Sequence, residues 1–156
     1  MISILLPSRR PIALKNVLDA WKYSRQHIKY EIIVVSEEDP RYDAWNDKSI
    51  YPHVRWIPEV DAQGPVHAMN VAFKYSRFSH VIYWSDDAYP THYCLDQWYE
   101  HMLMHKHKRN IPLNLGFRLT NEHGEDLPQW SIFNNPVACW GGIHKQDHTW
   151  IFYPGY

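Results

Sequence analysis

The chain predicts an α/β fold, a Rossmann-like sheet of β-α-β units followed by a short mixed or antiparallel carboxyl-terminal part. Three observations predict it. Largely apolar runs at residues 2–6 (ISILL), 30–35 (YEIIVV) and 81–84 (VIYW) have the length and composition of strands buried on both faces of a parallel sheet. Between the first two, Leu14, Val17, Leu18 and Trp21 recur at i, i+3, i+4, i+7, the stripe of an amphipathic helix. The three runs also end in polar, proline-containing loops, PSRRP, SEEDP and SDDAYP. In open α/β sheets, ligands bind outside the carboxyl ends of the strands.

Taken in order, Pro7 closes the first strand, Ser8 is placed to cap the first helix and Pro11 falls in its opening turn. The second strand completes a β-α-β unit. Residues 41–51 are polar, with Tyr42 and Trp45 as anchors, and read as a short helix. A short strand at 54–57 (VRWI) lies between Pro52 and Pro58, which suits a position near a sheet edge. Gly64 and Pro65 start a helix to about Arg77 with Val66, Met69, Ala72 and Phe73 toward the sheet. After the strand at 81–84, a helix is expected from Thr91 to about His107, carrying Leu95, Trp98, Tyr99 and Met102. Beyond Asn110 the period changes, and 115–120, 130–133 and 137–140 read as strands, with a hairpin turn at 121–126.

At 156 residues the chain fits one domain, 1–156. Sixteen basic and 17 acidic residues leave the net charge near zero, and the one dense basic run, HKHKR at 105–109, sits at an expected helix end, so nucleic acid is not an expected partner. No apolar run reaches the roughly 18 residues a membrane span needs. Cys94 and Cys139 have no C-x-x-C spacing, and reduced thiols in a cytoplasmic protein are the expectation. Eight Trp, 11 Tyr and 5 Phe are numerous, but aromatics fill cores more often than they stack on ligands.

Several familiar sites are missing. There is no G-x-G-x-x-G after the first strand, no G-x-x-x-x-G-K, no G-x-S-x-G and no H-E-x-x-H, which disfavours dehydrogenases, P-loop enzymes, serine hydrolases and zincins. What remains is chemistry at strand ends. Asp86 and Asp87, on a turn directly after a buried strand, suit a hard divalent cation that carries phosphate; the plainer reading is a solvated turn capping the next helix.

In order and spacing these loops resemble the family 2 glycosyltransferases with the GT-A fold. Pro7, Ser8, Arg9 and Arg10 stand where that family has a P-T-Y-N-like loop, and Ser36, Glu37 and Glu38 where it has an acidic D-D-G-S-like loop. Gly64, Ala68, Asn70 and Ala72 match its G-x-x-x-A-x-N-x-A-like helix, and Ser85, Asp86 and Asp87 its D-x-D. The resemblance covers about residues 1–105 and implies a small, truncated-looking relative, with a nucleotide-sugar-binding half at 1–109 and a short acceptor-side part at 110–156. Two departures stand out: Ser36 replaces an Asp, and Ser85 aligns with the first Asp of D-x-D.

The resemblance implies a metal-dependent enzyme using Mn²⁺ or Mg²⁺ to transfer a hexose from a UDP-sugar, UDP-glucose by family frequency, to an unknown glycan, protein or small-molecule acceptor, with inversion. Pro7, Ser8, Arg9, Ser36, Glu37, Glu38, Asn70, Ser85 and Asp86 are then the sugar-nucleotide contacts. Asp87 is the expected direct metal ligand, with Asp86 and His144 completing the sphere. A general base is needed for the acceptor hydroxyl. Asp147 is preferred to Glu125 and Asp126, which lie in the expected hairpin turn; His144 and His148 are further candidates. Gly141 and Gly142 allow close backbone approach to a sugar or mark a turn or bulge. Trp140, Trp150 and Tyr153 are candidate sugar platforms, and His101 with His105 has zinc spacing but no third ligand. Two rivals stay open: a nucleotidyltransferase or nucleotide-sugar hydrolase, and a non-enzymatic carbohydrate-binding module. Oligomerisation is open as well.

Overall fold

A computed structural model describes residues 1–38, 46–61 and 63–104, and the backbone of 113–114 and 141–144. Its elements are β1 (Ile2–Pro7), α1 (Pro11–Tyr23), β2 (Tyr30–Glu37), β3 (Val54–Glu59), α2 (Pro65–Tyr75), β4 (His80–Tyr83), α3 (Cys94–Met104), β5 (Leu113–Asn114) and β6 (Gly141–His144). The sheet runs β3-β2-β1-β4-β6-β5. The first four of these strands are parallel, and β6 and β5 add antiparallel pairs at one side. The expected α/β sheet is therefore present.

Alternation along the strands sorts the core into two layers. Ile2, Ile4 and Leu6 of β1, with Tyr30, Ile32 and Val34 of β2 and Ile82 of β4, pack against Leu14, Val17, Leu18 and Trp21 of α1 and Leu95 and Trp98 of α3. Leu5, Ile33, Val35, Val81 and Tyr83 face the other way, onto Ala68 and Ala72 of α2. Helices on both faces explain why β1 and β2 carry apolar residues at successive positions.

Several boundaries differ from the sequence expectation, each for a local reason. Ser8 does not cap α1; Arg10 is the N-cap residue, with no side-chain cap bond, and Pro11 opens the helix. β3 continues through Pro58 to Glu59 because it is the edge strand, where a residue lacking N–H costs no ladder bond. On α2 the sheet-facing line is Ala68 and Ala72, with Met69 and Phe73 partly buried beside it, so the small residues let the helix lie close. Ser76 stops that helix by turning its hydroxyl to the Phe73 carbonyl at 2.6 Å. α3 begins at Cys94 rather than Thr91, since Tyr93 has φ 61°, incompatible with a right-handed helix. Residues 48–50 form a turn, in which Asp47 accepts the Ser49 N–H at 2.7 Å; residues 41–45, with Tyr42 and Trp45, lie outside the described residues. So do the expected strands at 115–120, 130–133 and 137–140 and the turn at 121–126.

At the amino-terminal edge of the sheet, buried Glu31 is fully engaged. It accepts from the Ser3 hydroxyl at 2.8 Å, the Arg77 N–H at 2.8 Å, Arg77 Nε at 2.9 Å and Arg55 Nη1 at 3.2 Å. This knot ties the loop between α2 and β4 to β1, β2 and β3, at the end of the sheet away from the polar loops.

Candidate functional site

The strand order reverses at β1: β2 and β3 extend to one side of it, and β4 lies on the other. Above that reversal lie the two flanking loops, at the position where open α/β sheets hold ligands. The loop after β1 supplies Ser8, Arg9 and Arg10, and the loop after β4 supplies Ser85, Asp86 and Asp87. Both loops are pinned by backbone bonds, Ser8 N–H to the Val35 carbonyl at 3.0 Å and Trp84 N–H to the Leu5 carbonyl at 2.8 Å. Trp84 Nε1 donates to the Ala88 carbonyl at 2.9 Å and folds the SDDA segment into a turn.

The side chains of the two loops meet. Ser8 Oγ donates to Asp86 Oδ2 while accepting the Arg10 backbone N–H at 3.1 Å. The Arg10 guanidinium lies over both carboxylates: Nε reaches Asp86 Oδ2 at 3.2 Å, and Nη2 reaches Asp86 Oδ1 and Asp87 Oδ2, the latter at 3.0 Å. Ser85 Oγ donates to Asp87 Oδ1. The Asp86 side chain is 7% exposed, whereas those of Asp87 and Arg10 are 60% and 58% exposed. One carboxylate is thus built into the floor, and the other faces solvent.

Hydrogen bonds to the charged form decide the protonation of the outer carboxylate. The Ser85 hydroxyl holds Asp87 below the usual aspartate range against the opposing effect of burial, with Arg10 adding to the lowering through its hydrogen bond and its charge. Arg10 is pushed above its already high value, first by its bond to Asp86 and then by that to Asp87. At neutral pH Asp87 is ionised, with a permanent cation beside it.

The other strand-end residues divide into two groups. Arg9 Nε meets the exposed Glu37 carboxylate at 3.2 Å, joining the β1 and β2 loops, and Glu38 is exposed beside them. Pro7 ends β1 half-buried. Ser36, by contrast, is buried at 1% and accepts Trp56 Nε1 at 2.5 Å, so its hydroxyl is taken up by packing between β2 and β3. Asn70 is exposed and lies about 200° around α2 from the buried Ala68, away from the sheet, and is not brought to the aspartate pair.

His144 is not brought there either. Its backbone pairs with His80, the first residue of β4, while Asp86 and Asp87 follow the last; three extended steps, roughly 10 Å, separate those ends. Gly141 and Gly142 lie within β6 rather than in a turn. Asp147, Glu125, Asp126, His148, His105, Trp140, Trp150 and Tyr153 lie outside the described residues, as does the His101 side chain.

Sequence reasoning missed one polar pair at this end of the sheet. Glu59, 8% exposed and in register with Glu37, meets His67 Nδ1 of α2 at 2.5 Å. The signal was Glu59 itself, hidden because Pro58 was read as the end of the strand.

As a cation site, the cluster offers carboxylate oxygens on a short turn, one of them exposed. Among the described residues no group of three or more His, Cys, Asp or Glu side chains gathers in one place. Two carboxylates suffice for an ion such as Mg²⁺, which takes one or two from the protein and the remainder from phosphates and water. The donor set therefore fits, and the guanidinium of Arg10 is the stand-in that now neutralises it.

Neither a protein-family model nor a curated protein sequence matches the chain. Solved structures do. S. aureus TarS superposes with a TM-score of 0.68 at 15% identity, over 92% of this chain and 28% of that one. TarS 1-349 in complex with UDP-GlcNAc gives 0.63 at 18% over 86% and 38%, and in complex with UDP gives 0.62 at 17% over 86% and 39%. The chain spans well under half the length of the structures it matches. At these identities the likeness is one of fold.

Proposed function

We propose that this chain is the sugar-nucleotide-binding part of a GT-A glycosyltransferase that transfers a hexose from a UDP-sugar to an acceptor, with inversion. The observation that carries the reading is the meeting of Ser8 and Arg10 from the β1 loop with Asp86 and Asp87 from the β4 loop at the reversal of strand order. That TarS, of like fold, binds UDP-GlcNAc and UDP supports the choice of a uridine diphosphate-sugar. UDP-glucose and UDP-GlcNAc are the two donors to test first.

In this reading residues 1–109 hold the sugar nucleotide and 110–156 face the acceptor. Glu37, Glu38 and Arg9 line the nucleoside side of the crevice, joined to the pyrophosphate side by the β1 loop. Ser8 and Ser85 hold the two aspartates in place. Asp87 is the direct ligand for Mn²⁺ or Mg²⁺, and Asp86 supports it from the crevice floor. When bound, that ion supplies Lewis-acid stabilisation of the charge growing on the leaving diphosphate. Asp147 is the proposed base for the acceptor hydroxyl.

The test is calorimetric titration of UDP, GDP, UDP-glucose and UDP-GlcNAc with and without Mn²⁺. The reading expects uridine compounds to bind, GDP to bind more weakly, and chelation to weaken the binding. Binding of glycans with no affinity for any nucleotide would instead identify a carbohydrate-binding module. Consumption of a nucleoside triphosphate, or sugar-nucleotide cleavage that no acceptor accelerates, would point to the nucleotidyltransferase or hydrolase class.

A further inference from the structure

The β1 loop spends its most capable side chain in an unexpected place. A guanidinium facing a diphosphate crevice is expected to present its fork to the phosphates. Arg10 instead turns its fork inward, using Nε and Nη2 on Asp86 and Asp87, while Nη1 has no hydrogen-bond partner among the described residues. A divalent cation held by Asp87 and Asp86 would need the carboxylate oxygens that Arg10 now occupies. A guanidinium and a divalent cation cannot share them, because they repel each other.

We propose that Arg10 is an exchangeable counter-ion: it holds Asp86 and Asp87 together before the sugar nucleotide arrives, yields them to the incoming divalent cation, and then donates its fork to the diphosphate. This rests on the function proposed above and deepens it.

Charge balance favours exchange over a fixed arginine. With Arg10 in place the two aspartates retain one net negative charge, which repels an incoming diphosphate. A divalent ion cancels both carboxylates, and the released guanidinium adds a positive charge facing the phosphates. Release costs little at the exposed Asp87, and at the buried Asp86 the incoming cation replaces the charge that Arg10 withdraws. Asp86 does not collapse when Arg10 leaves, because Ser8 still donates to Oδ2. Position favours it as well: Arg10 is the N-cap residue of α1, so its backbone is anchored by the helix while its side chain can swing without disturbing it.

The exchange has a signature of opposite signs. If Arg10 occupies the aspartates in nine-tenths of free molecules, apparent Mn²⁺ affinity is about tenfold weaker than intrinsic. Arg10→Met removes the competitor and retains most of the stem. Its affinity for Mn²⁺ alone, read from the electron paramagnetic resonance of free Mn²⁺, is expected to rise about tenfold. At saturating Mn²⁺, its affinity for UDP is expected to fall tenfold or more, for loss of charge-assisted bonds. Arg10→Lys, which keeps the charge without the fork, should move both quantities the same way by less, and stands in if the methionine variant does not fold. Lys15→Met removes an equal charge from an exposed pair with Asp19 and should move neither.

Unchanged or weaker Mn²⁺ binding in Arg10→Met overturns the exchange, as does undiminished UDP binding. If neither protein binds Mn²⁺ yet UDP binds, the exchange fails and a metal-free form of the proposed function survives. If UDP does not bind at all, the proposed function fails with it.

Discussion

The Ser8 hydroxyl donates to Asp86 across the reversal of strand order, joining the loops after the first and fourth strands through two buried side chains. Ser8→Ala removes the shorter of the two hydrogen bonds to Oδ2 of a buried carboxylate, leaving that from Arg10 Nε at 3.2 Å. The cost of such a loss is about 1–3 kcal/mol, or a lowering of Tm by roughly 2–4 °C per kcal/mol in a chain of this size. Thermal unfolding measures it, and a variant as stable as the parent would show that this contact contributes nothing net.

Asp87 is expected to separate stability from binding. Its side chain is 60% exposed and its partners are solvated, so Asp87→Asn should change stability by less than about 1 kcal/mol. UDP affinity in Mn²⁺ should nevertheless fall at least tenfold, about 1.4 kcal/mol. A variant that unfolds, or that binds UDP as tightly as the parent, contradicts the role given to this carboxylate.

Glu31 gives the fold an acid limit. Burial raises its pKa, but the bonds from the Arg77 N–H, Ser3, the Arg77 side chain and Arg55 together outweigh this and leave it below the ordinary glutamate value of 4.5. The unfolded chain therefore takes up a proton at higher pH than the folded one. The contribution is fully present above pH 4.5 and is lost as pH falls through the lower folded value. Urea unfolding from pH 7 to 3 should show stability declining below that point. Glu31→Gln should be less stable at neutral pH and should decline less steeply in acid; an equally steep decline would assign the acid limit to other carboxylates.

Ala72 is fully buried where α2 crosses the sheet. Ala72→Leu should cost about 1–3 kcal/mol through overpacking. Denaturant unfolding tests it, and a neutral result would mean that α2 can move outward freely.

Much of the fold was legible because its signals are local. Continuous apolar runs marked three of the four parallel strands, and the stripe from Leu14 to Trp21 marked α1. What escaped depends on tertiary context. Pro58 looked like a strand end but is tolerated on an edge; Tyr93 at φ 61° delays α3; Ala68 carries less periodic signal than Val66, yet with the expected Ala72 it decides the contact of α2. At the site, sequence order was enough to nominate the loops but not the pairing within them. That Arg10 rather than Arg9 reaches the aspartates, that Ser36 is taken by Trp56, and that His144 pairs with His80 are matters of side-chain direction and register, which spacing does not encode.

The central claim is that the crevice between β1 and β4 holds the diphosphate of a sugar nucleotide, with Asp87 on its cation. A crystal structure with UDP and Mn²⁺, phased to reveal the anomalous signal of manganese, tests it most directly. The expected result is a manganese peak between the Asp87 carboxylate and the diphosphate, with Arg10 turned from the aspartates to the phosphates. UDP seated elsewhere, or manganese bound away from Asp87 with Arg10 still on both carboxylates, would contradict it.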